Sequence, residues 1–181
     1  CGEESFGTSS NHTREKDGVW AVLAWLNILA ITERSVQDIA QAHWARFGRH
    51  YYARHDYDEL PAAAAQQVMQ ALQESLPARI GQGYGDYTIS AADSFSYVDP
   101  IDDSRATDQG LRLVFGDAAR LIVRLSGTGT KGATLRLYLE RFERQALDLK
   151  STEALAPLTG LAEKIVRVAD ITGRRAPSVI T

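Results

Sequence analysis

Leu121-Ile122-Val123-Arg124-Leu125-Ser126-Gly127-Thr128-Gly129-Thr130-Lys131-Gly132-Ala133-Thr134-Leu135-Arg136-Leu137-Tyr138-Leu139 decides the fold of the second part of this chain. Two runs of β-formers flank a segment rich in glycine and hydroxyl groups, and the second run alternates leucine with larger polar side chains. These two runs, Leu121 to Leu125 and Thr134 to Phe142, are preceded by two further predicted strands, around Tyr87 to Ala92 and Leu111 to Phe115, with turns at Asp99 to Gly110 and Gly116-Asp117. Helices frame them. Ala65, Val68, Met69, Leu72 and Leu76 recur at helical spacing from Ala62 to a stop at Pro77, and a last helix spans Thr152 to Ile171 with Pro157 as a kink or early start. The pattern helix, four strands, helix predicts an α+β unit with a four-stranded antiparallel sheet and two helices.

Upstream, Val19, Val22, Leu23, Leu26 and Leu29 predict a helix capped by Asp17, with Trp20 and Trp25 adding core area. A second helix runs from Ser35, a good N-cap, to Phe47, with Gly48 as terminator. His50 to Tyr57 mixes basic and aromatic residues, reads as extended, and leads into Asp58-Glu59-Leu60-Pro61. The expected division is therefore 1–54, a linker at 55–61, and 62–181. The first helices are expected to pack on a sheet that lies mostly upstream.

A chain of 181 residues with 44% apolar content can bury a core. Its formal charge of −3, with no basic arm, gives no nucleic-acid or membrane partner. Cys1 is the single cysteine, which excludes an internal disulfide and a thiolate metal site and fits a cytoplasmic location. His12, His43, His50 and His55 show no ligand spacing, so no metal site is expected. There is no signal-like run, and the start at Cys1 leads to the expectation of a longer protein upstream.

Between Ala118 and Leu139 the chain holds Arg120, Arg124, Lys131 and Arg136 and no acidic residue. Glycines at 127, 129 and 132 let amide groups turn inward, Ser126, Thr128 and Thr130 add hydroxyl donors, and Arg124 and Arg136 can fork onto phosphate oxygens. Lys131 is followed by Gly132 and a strand rather than by Ser or Thr and a helix, so this is no nucleotide P-loop. A glycine-rich hairpin turn with solvated basic residues fits these residues as well as an anion cradle does. At the other end, Gly2-Glu3-Glu4-Ser5-Phe6-Gly7 places carboxylates and a hydroxyl where they could accept from vicinal sugar hydroxyls, although a Glu-Glu pair is equally ordinary on a solvated loop.

Cys1 to Gly7, Arg14-Glu15-Lys16-Asp17-Gly18 with the following Trp20 to Leu26, Arg124 through Tyr138, and the ending Thr172-Gly173-Arg174 to Thr181 together closely resemble the phosphoglucomutase branch of the α-D-phosphohexomutase family. The resemblance implies the end of a third, sugar-recognising α/β domain, here mostly helices, followed by a fourth, phosphate-binding domain of TATA-binding-protein-like fold. It implies interconversion of glucose 1-phosphate and glucose 6-phosphate through glucose 1,6-bisphosphate, with a phosphoserine as carrier. Glu3, Ser5 and Glu4 would meet the sugar, Glu4 favouring glucose. Lys16 would touch substrate and assist proton transfer, with Arg14 beside it. Arg124, Ser126, Gly127, Thr128, Gly129, Thr130 and Arg136 would hold the phosphate that is not transferred.

The family's serine loop, Thr-Ala-Ser-His-Asn-Pro, and its Asp-Gly-Asp-Gly-Asp-Arg metal loop do not occur in this sequence. The expectation is that Mg2+ and the carrier belong to the missing N-terminal domains, and that this chain alone is inactive. The alternative is a noncatalytic paralogue serving as a phosphosugar-binding or structural module.

Overall fold

The computed structural model describes residues 7–11, 13–129 and 132–181, with only the backbone described at 13, 14, 128 and 129. It divides into two compact units, Cys1–Phe47 and Gly48–Thr181.

In the first unit, β1 (Thr8–Ser10) pairs antiparallel with β2 (Thr13–Asp17), and two helices follow, α1 (Gly18–Thr32) and α2 (Val36–Phe47). Asp17 caps α1 as expected, its carboxylate accepting from the Val19 and Trp20 amides at 2.8 and 3.1 Å. Ser35 opens α2: its hydroxyl accepts from the Asp38 amide and donates to the Asp38 carboxylate. Neither helix contains a buried residue. Trp25 is 41% exposed, contrary to its expected place in a core. The reason is geometric: β1 and β2, the strands of this unit among the described residues, are too short to cover a helix of 15 residues. A helix apolar nearly all round, as α1 is, belongs to the kind that is buried on several sides.

The second unit opens on β3 (Arg49–Leu60) and α3 (Ala62–Arg79). Short strands β4 (Gly83–Tyr84), β5 (Tyr87–Thr88), β6 (Ala91–Ser94), β7 (Tyr97–Val98) and β8 (Arg105–Ala106) lead to β9 (Leu111–Phe115), β10 (Ala119–Gly129) and β11 (Gly132–Glu143). Helices α4 (Ser151–Val166) and α5 (Val168–Thr172) and a last strand β12 (Val179–Ile180) complete it. The main sheet has six antiparallel strands in the order β12-β3-β11-β10-β9-β6. The α+β class holds, but the sheet is larger than the expected four strands and three helices accompany it.

Most of the difference comes from β3. Residues 55–61, expected as a linker, are its second half and the N-cap of α3, and the boundary between units falls at Phe47 and Gly48 instead. Gly48 takes a φ of +89°, and a Cβ there would come within 3.0 Å of the Glu143 carbonyl. Pro77 sits inside α3 rather than ending it, because a proline in the last turn forfeits only one ladder bond. The single C-terminal helix expected is broken at Arg167, whose left-handed φ of 58° separates α4 from α5.

Alternation along β11 sends Ala133, Leu135, Leu137 and Leu139 into the core, where they meet Leu121 and Val123 of β10, Val68 and Leu72 of α3, and Leu155, Leu158 and Ile165 of α4. The intervening residues of β11, Thr134, Arg136, Tyr138 and Glu140 among them, occupy the opposite, open face with Arg124 of β10.

His55 lies on the core side of β3 and is 8% exposed. Burial pushes its imidazole below the usual value of 6.5, with Glu163 and Asp56 partly opposing. A folded value below the unfolded one means that the unfolded chain takes up the proton first as the pH falls. Stability is therefore complete above the ordinary histidine value and is lost on descending through it. Unfolding free energy is expected to drop as the pH falls through and below the ordinary value of 6.5, with a slope of up to about 1.4 kcal/mol per pH unit from this group. Denaturant titrations of the chain and of His55→Asn check this; an equal slope in the variant would exclude His55 as the source.

Candidate functional site

The β10–β11 hairpin positions the site of the second unit. Its register places Arg124 directly opposite Arg136 and Ser126 opposite Thr134. Strand alternation puts all four on the open face, since Val123, Leu125, Leu135 and Leu137 point toward the helices. Two arginines facing each other across a ladder repel, so the hairpin carries a local excess of positive charge that an anion would offset. Among the described residues, Arg124 makes no ion pair and Ser126 makes no side-chain hydrogen bond, whereas Arg112 and Arg120 on the same sheet are paired with Asp93 and Glu140.

Glycine conformations shape the end of the hairpin. The ladder slips between Ser126 and Thr128, and Gly127 sits in the slip at φ +63°. Pairing resumes at Thr128↔Ala133 and Gly129↔Gly132. Gly132, at φ +102°, lies against β3: a Cβ would stand 3.0 Å from the Leu60 carbonyl and 3.1 Å from the Glu59 Cα. The Thr134 hydroxyl donates to the Asp58 carboxylate at 2.8 Å, and the Ser178 hydroxyl accepts from the Asp58 amide at 3.0 Å, so the root of the hairpin is fastened on its β3 side.

Gly110 supports the other arginine. Its hypothetical Cβ would meet the Arg124 Cγ at 2.7 Å and the Val123 carbonyl at 3.1 Å, so the Arg124 stem lies across a position that has room only for glycine. Gly110→Ala is expected to displace this side chain and weaken phosphate binding about fivefold, a cost near 1 kcal/mol. Titration with inorganic phosphate reads the loss, and unchanged affinity would show that the stem does not orient the guanidinium.

Of the residues expected to bind phosphate, Arg124, Ser126, Gly127 and Arg136 are brought together by the hairpin. The backbones of Thr128 and Gly129 continue β10, and Thr130 lies outside the described residues. Glu3, Glu4 and Ser5 also lie outside them. Lys16 is exposed on β2, its stem close to Gly7, and Arg14 shares that strand. Sequence reasoning missed Asp56, which the register of β11 with β3 sets opposite Arg136. It also missed β12, which pairs Val179 with Asp56 on the far side. No local pattern signals either, because β3 meets β11 and β12 only across long stretches of chain.

Pockets elsewhere carry less chemistry. A space of about 270 Å³ beside the Gly116-Asp117-Ala118 turn is lined by His50, Arg120 and Glu140, which satisfy one another. Among the described residues no three His, Cys, Asp or Glu side chains converge on a point where a metal ion could sit, and no single helix is long and apolar enough to cross a membrane.

Residues 49–178 match the sequence model of the phosphoglucomutase-1 C-terminal domain, and residues 1–47 match that of the phosphoglucomutase/phosphomannomutase alpha/beta/alpha domain III. The chain is 50% identical over 183 residues to a phosphoglucomutase of Rhizobium radiobacter and 48% identical over 189 residues to phosphoglucomutase-1 of Oryctolagus cuniculus. All of the chain is covered in both cases but only 34% of either relative, so it spans about a third of their length. The crystal structure of the open form of the exocytosis-sensitive phosphoprotein pp63/parafusin, a phosphoglucomutase from Paramecium, is similar with a TM-score of 0.88 and 46% identity, covering 100% of this chain and 32% of that one. With a family match over more than half of its residues, the chain belongs to the phosphoglucomutase family.

Proposed function

We propose that this chain is the substrate-recognition half of a phosphoglucomutase, holding the hexose phosphate while the reacting groups are supplied from outside its sequence. The observation that carries this reading is the facing pair Arg124 and Arg136 on the open side of a hairpin whose end is shaped by glycine. Their charge and the Ser126 hydroxyl suit the dianionic phosphate ester of glucose 1-phosphate or glucose 6-phosphate.

In this reading the hairpin grips the phosphate that is not transferred. Glu3, Glu4 and Ser5, with Lys16 and Arg14, recognise the sugar, and Lys16 assists proton transfer at the hydroxyl that attacks the carrier phosphoserine. The hydroxyl oxygen gains a bond to phosphorus as the serine oxygen leaves, giving glucose 1,6-bisphosphate. Reorientation then presents the other phosphate to the same serine oxygen. A remote site indifferent to which phosphate it holds permits this exchange, because positioning rather than covalent chemistry from this part of the protein sets the geometry.

Mg2+ is implied for the whole enzyme. The described residues offer no group of three His, Cys, Asp or Glu side chains to hold it. The partners of the chain are then the two glucose phosphates and the N-terminal domains of the same protein, in the cytoplasm.

Calorimetric titration tests the reading. The chain is expected to bind glucose 1-phosphate, glucose 6-phosphate and inorganic phosphate but not glucose at equal concentration, and to show no mutase turnover when mass analysis finds no longer species. Binding of glucose with no response to phosphate would contradict the site, and turnover by the pure chain would contradict the division of labour.

A further inference from the structure

We infer that Asp56 is a positioning residue that fixes which edge of the Arg136 guanidinium meets the anion, an inference that rests on the phosphate site proposed above. Asp56 is an acid held within a site that attracts anions, where its charge alone would be a liability. Its side chain is 8% exposed, and its Oδ1 accepts from the Arg54 Nε at 2.9 Å. Its Oδ2 faces the Arg136 Nε at 3.7 Å. That nitrogen is buried and has no hydrogen-bond partner. The separation is that of an ion pair and is too long for a hydrogen bond.

The backbone gives Asp56 little freedom to move. It lies on β3 between Arg136 of β11 and Val179 of β12, and its carbonyl accepts from the Ser178 amide at 2.7 Å. The row across the open face is thus Arg124, Arg136, Asp56, Val179 on four successive strands. A guanidinium can present an oxyanion either with Nε and one terminal nitrogen or with both terminal nitrogens. A carboxylate beside Nε repels an anion from that edge and attracts the Nε–H, so the fork of terminal nitrogens is the edge left for phosphate. Arg136 has 35% of its side chain exposed although its Nε is buried, as this orientation requires. Arg54 neutralises the second oxygen of Asp56, which limits the penalty of placing an acid here.

Two effects of Asp56 therefore oppose each other, and their balance is measurable. If it acts only as a charge, Asp56→Asn tightens phosphate binding; if it orients Arg136, the same change weakens it. The full chain, labelled so that arginine Nε–H signals resolve, is titrated with inorganic phosphate alongside Asp56→Asn, with amide fingerprints showing that the variant is folded. In the ligand-free wild type the Arg136 Nε–H is expected to exchange more slowly than that of Arg124. In Asp56→Asn that protection is lost and phosphate binds about tenfold more weakly, the scale of one charge-assisted hydrogen bond. In the background of Arg136→Lys, which has no Nε, Asp56→Asn is expected not to weaken binding, an outcome that general destabilisation would not produce.

Phosphate binding that Asp56→Asn leaves equal or tighter overturns the positioning role while the site stands. An Arg136 Nε–H that exchanges as fast as that of Arg124 in the wild type also overturns it, and needs no folded variant. A wild-type chain that ignores phosphate overturns the site and the role together.

Discussion

Arg136→Ala is expected to weaken phosphate binding by the chain by one to two orders of magnitude, roughly the worth of the charged hydrogen bonds that one guanidinium can make. Arg136→Lys keeps the charge but loses the fork, so it is expected to recover only part of the affinity. Arg112 supplies the control. It stands on the same open face but is held by Asp93 through two bonds of 3.0 and 2.7 Å, so Arg112→Ala should leave phosphate binding unchanged. Titration calorimetry at one fixed ionic strength separates these cases, because a diffuse attraction to any basic surface would respond equally to Arg112 and Arg136. Equal losses at both positions would mean that net charge, and not the hairpin, attracts the anion.

Gly132→Ala is expected to destabilise the second unit by about 3 kcal/mol, combining an unfavourable left-handed φ with a clash against main chain. The φ of +102° accounts for part of this, and the Leu60 carbonyl at 3.0 Å and Glu59 Cα at 3.1 Å account for the rest, since backbone held in a strand cannot yield as a side-chain tip can. Gly116→Ala isolates the first part. It shares a positive φ, +55°, with nothing within 4 Å of the added methyl, and is expected to cost about 1 kcal/mol. Denaturant midpoints of the two variants decide the matter, and equal shifts would show that the contact between the hairpin end and β3 is not tight.

The elements that were legible before the structure are those whose cause is local. Asp17 and Ser35 announce helix starts through their own side chains, and the β10–β11 hairpin is written in the alternation of Leu135, Leu137 and Leu139 around a glycine-rich segment. Arg124 and Arg136 could be paired from sequence because one hairpin joins them. Asp56 could not. It meets Arg136 only through a strand pairing that crosses α3 and most of the smaller strands, and no local pattern reports that register. The same long-range pairing explains the misplaced linker: β3 carries charged residues at positions that the sheet covers, so Arg54, Asp56 and Asp58 look solvated when read alone. β12 is two residues long and has no periodicity to read. His55 illustrates the converse, an ionisable residue on the core face whose burial is set by α4 far along the chain.

The first unit is less self-sufficient. Val19, Leu26 and Ile31 of α1 are more than half exposed, so in this part of the chain the local helix signals of sequence are satisfied while the packing that such residues require is not.

Backbone amide shifts of the isotope-labelled chain, followed during titration with glucose 1-phosphate and with inorganic phosphate as control, test the phosphate site most directly. Both ligands are expected to move Arg124, Ser126, Gly127 and Gly132 in a saturable manner, with the signals of β9 and α4 unmoved. Spectra of a folded chain that do not change at millimolar concentrations of either ligand would contradict the assignment of this hairpin as the phosphate grip.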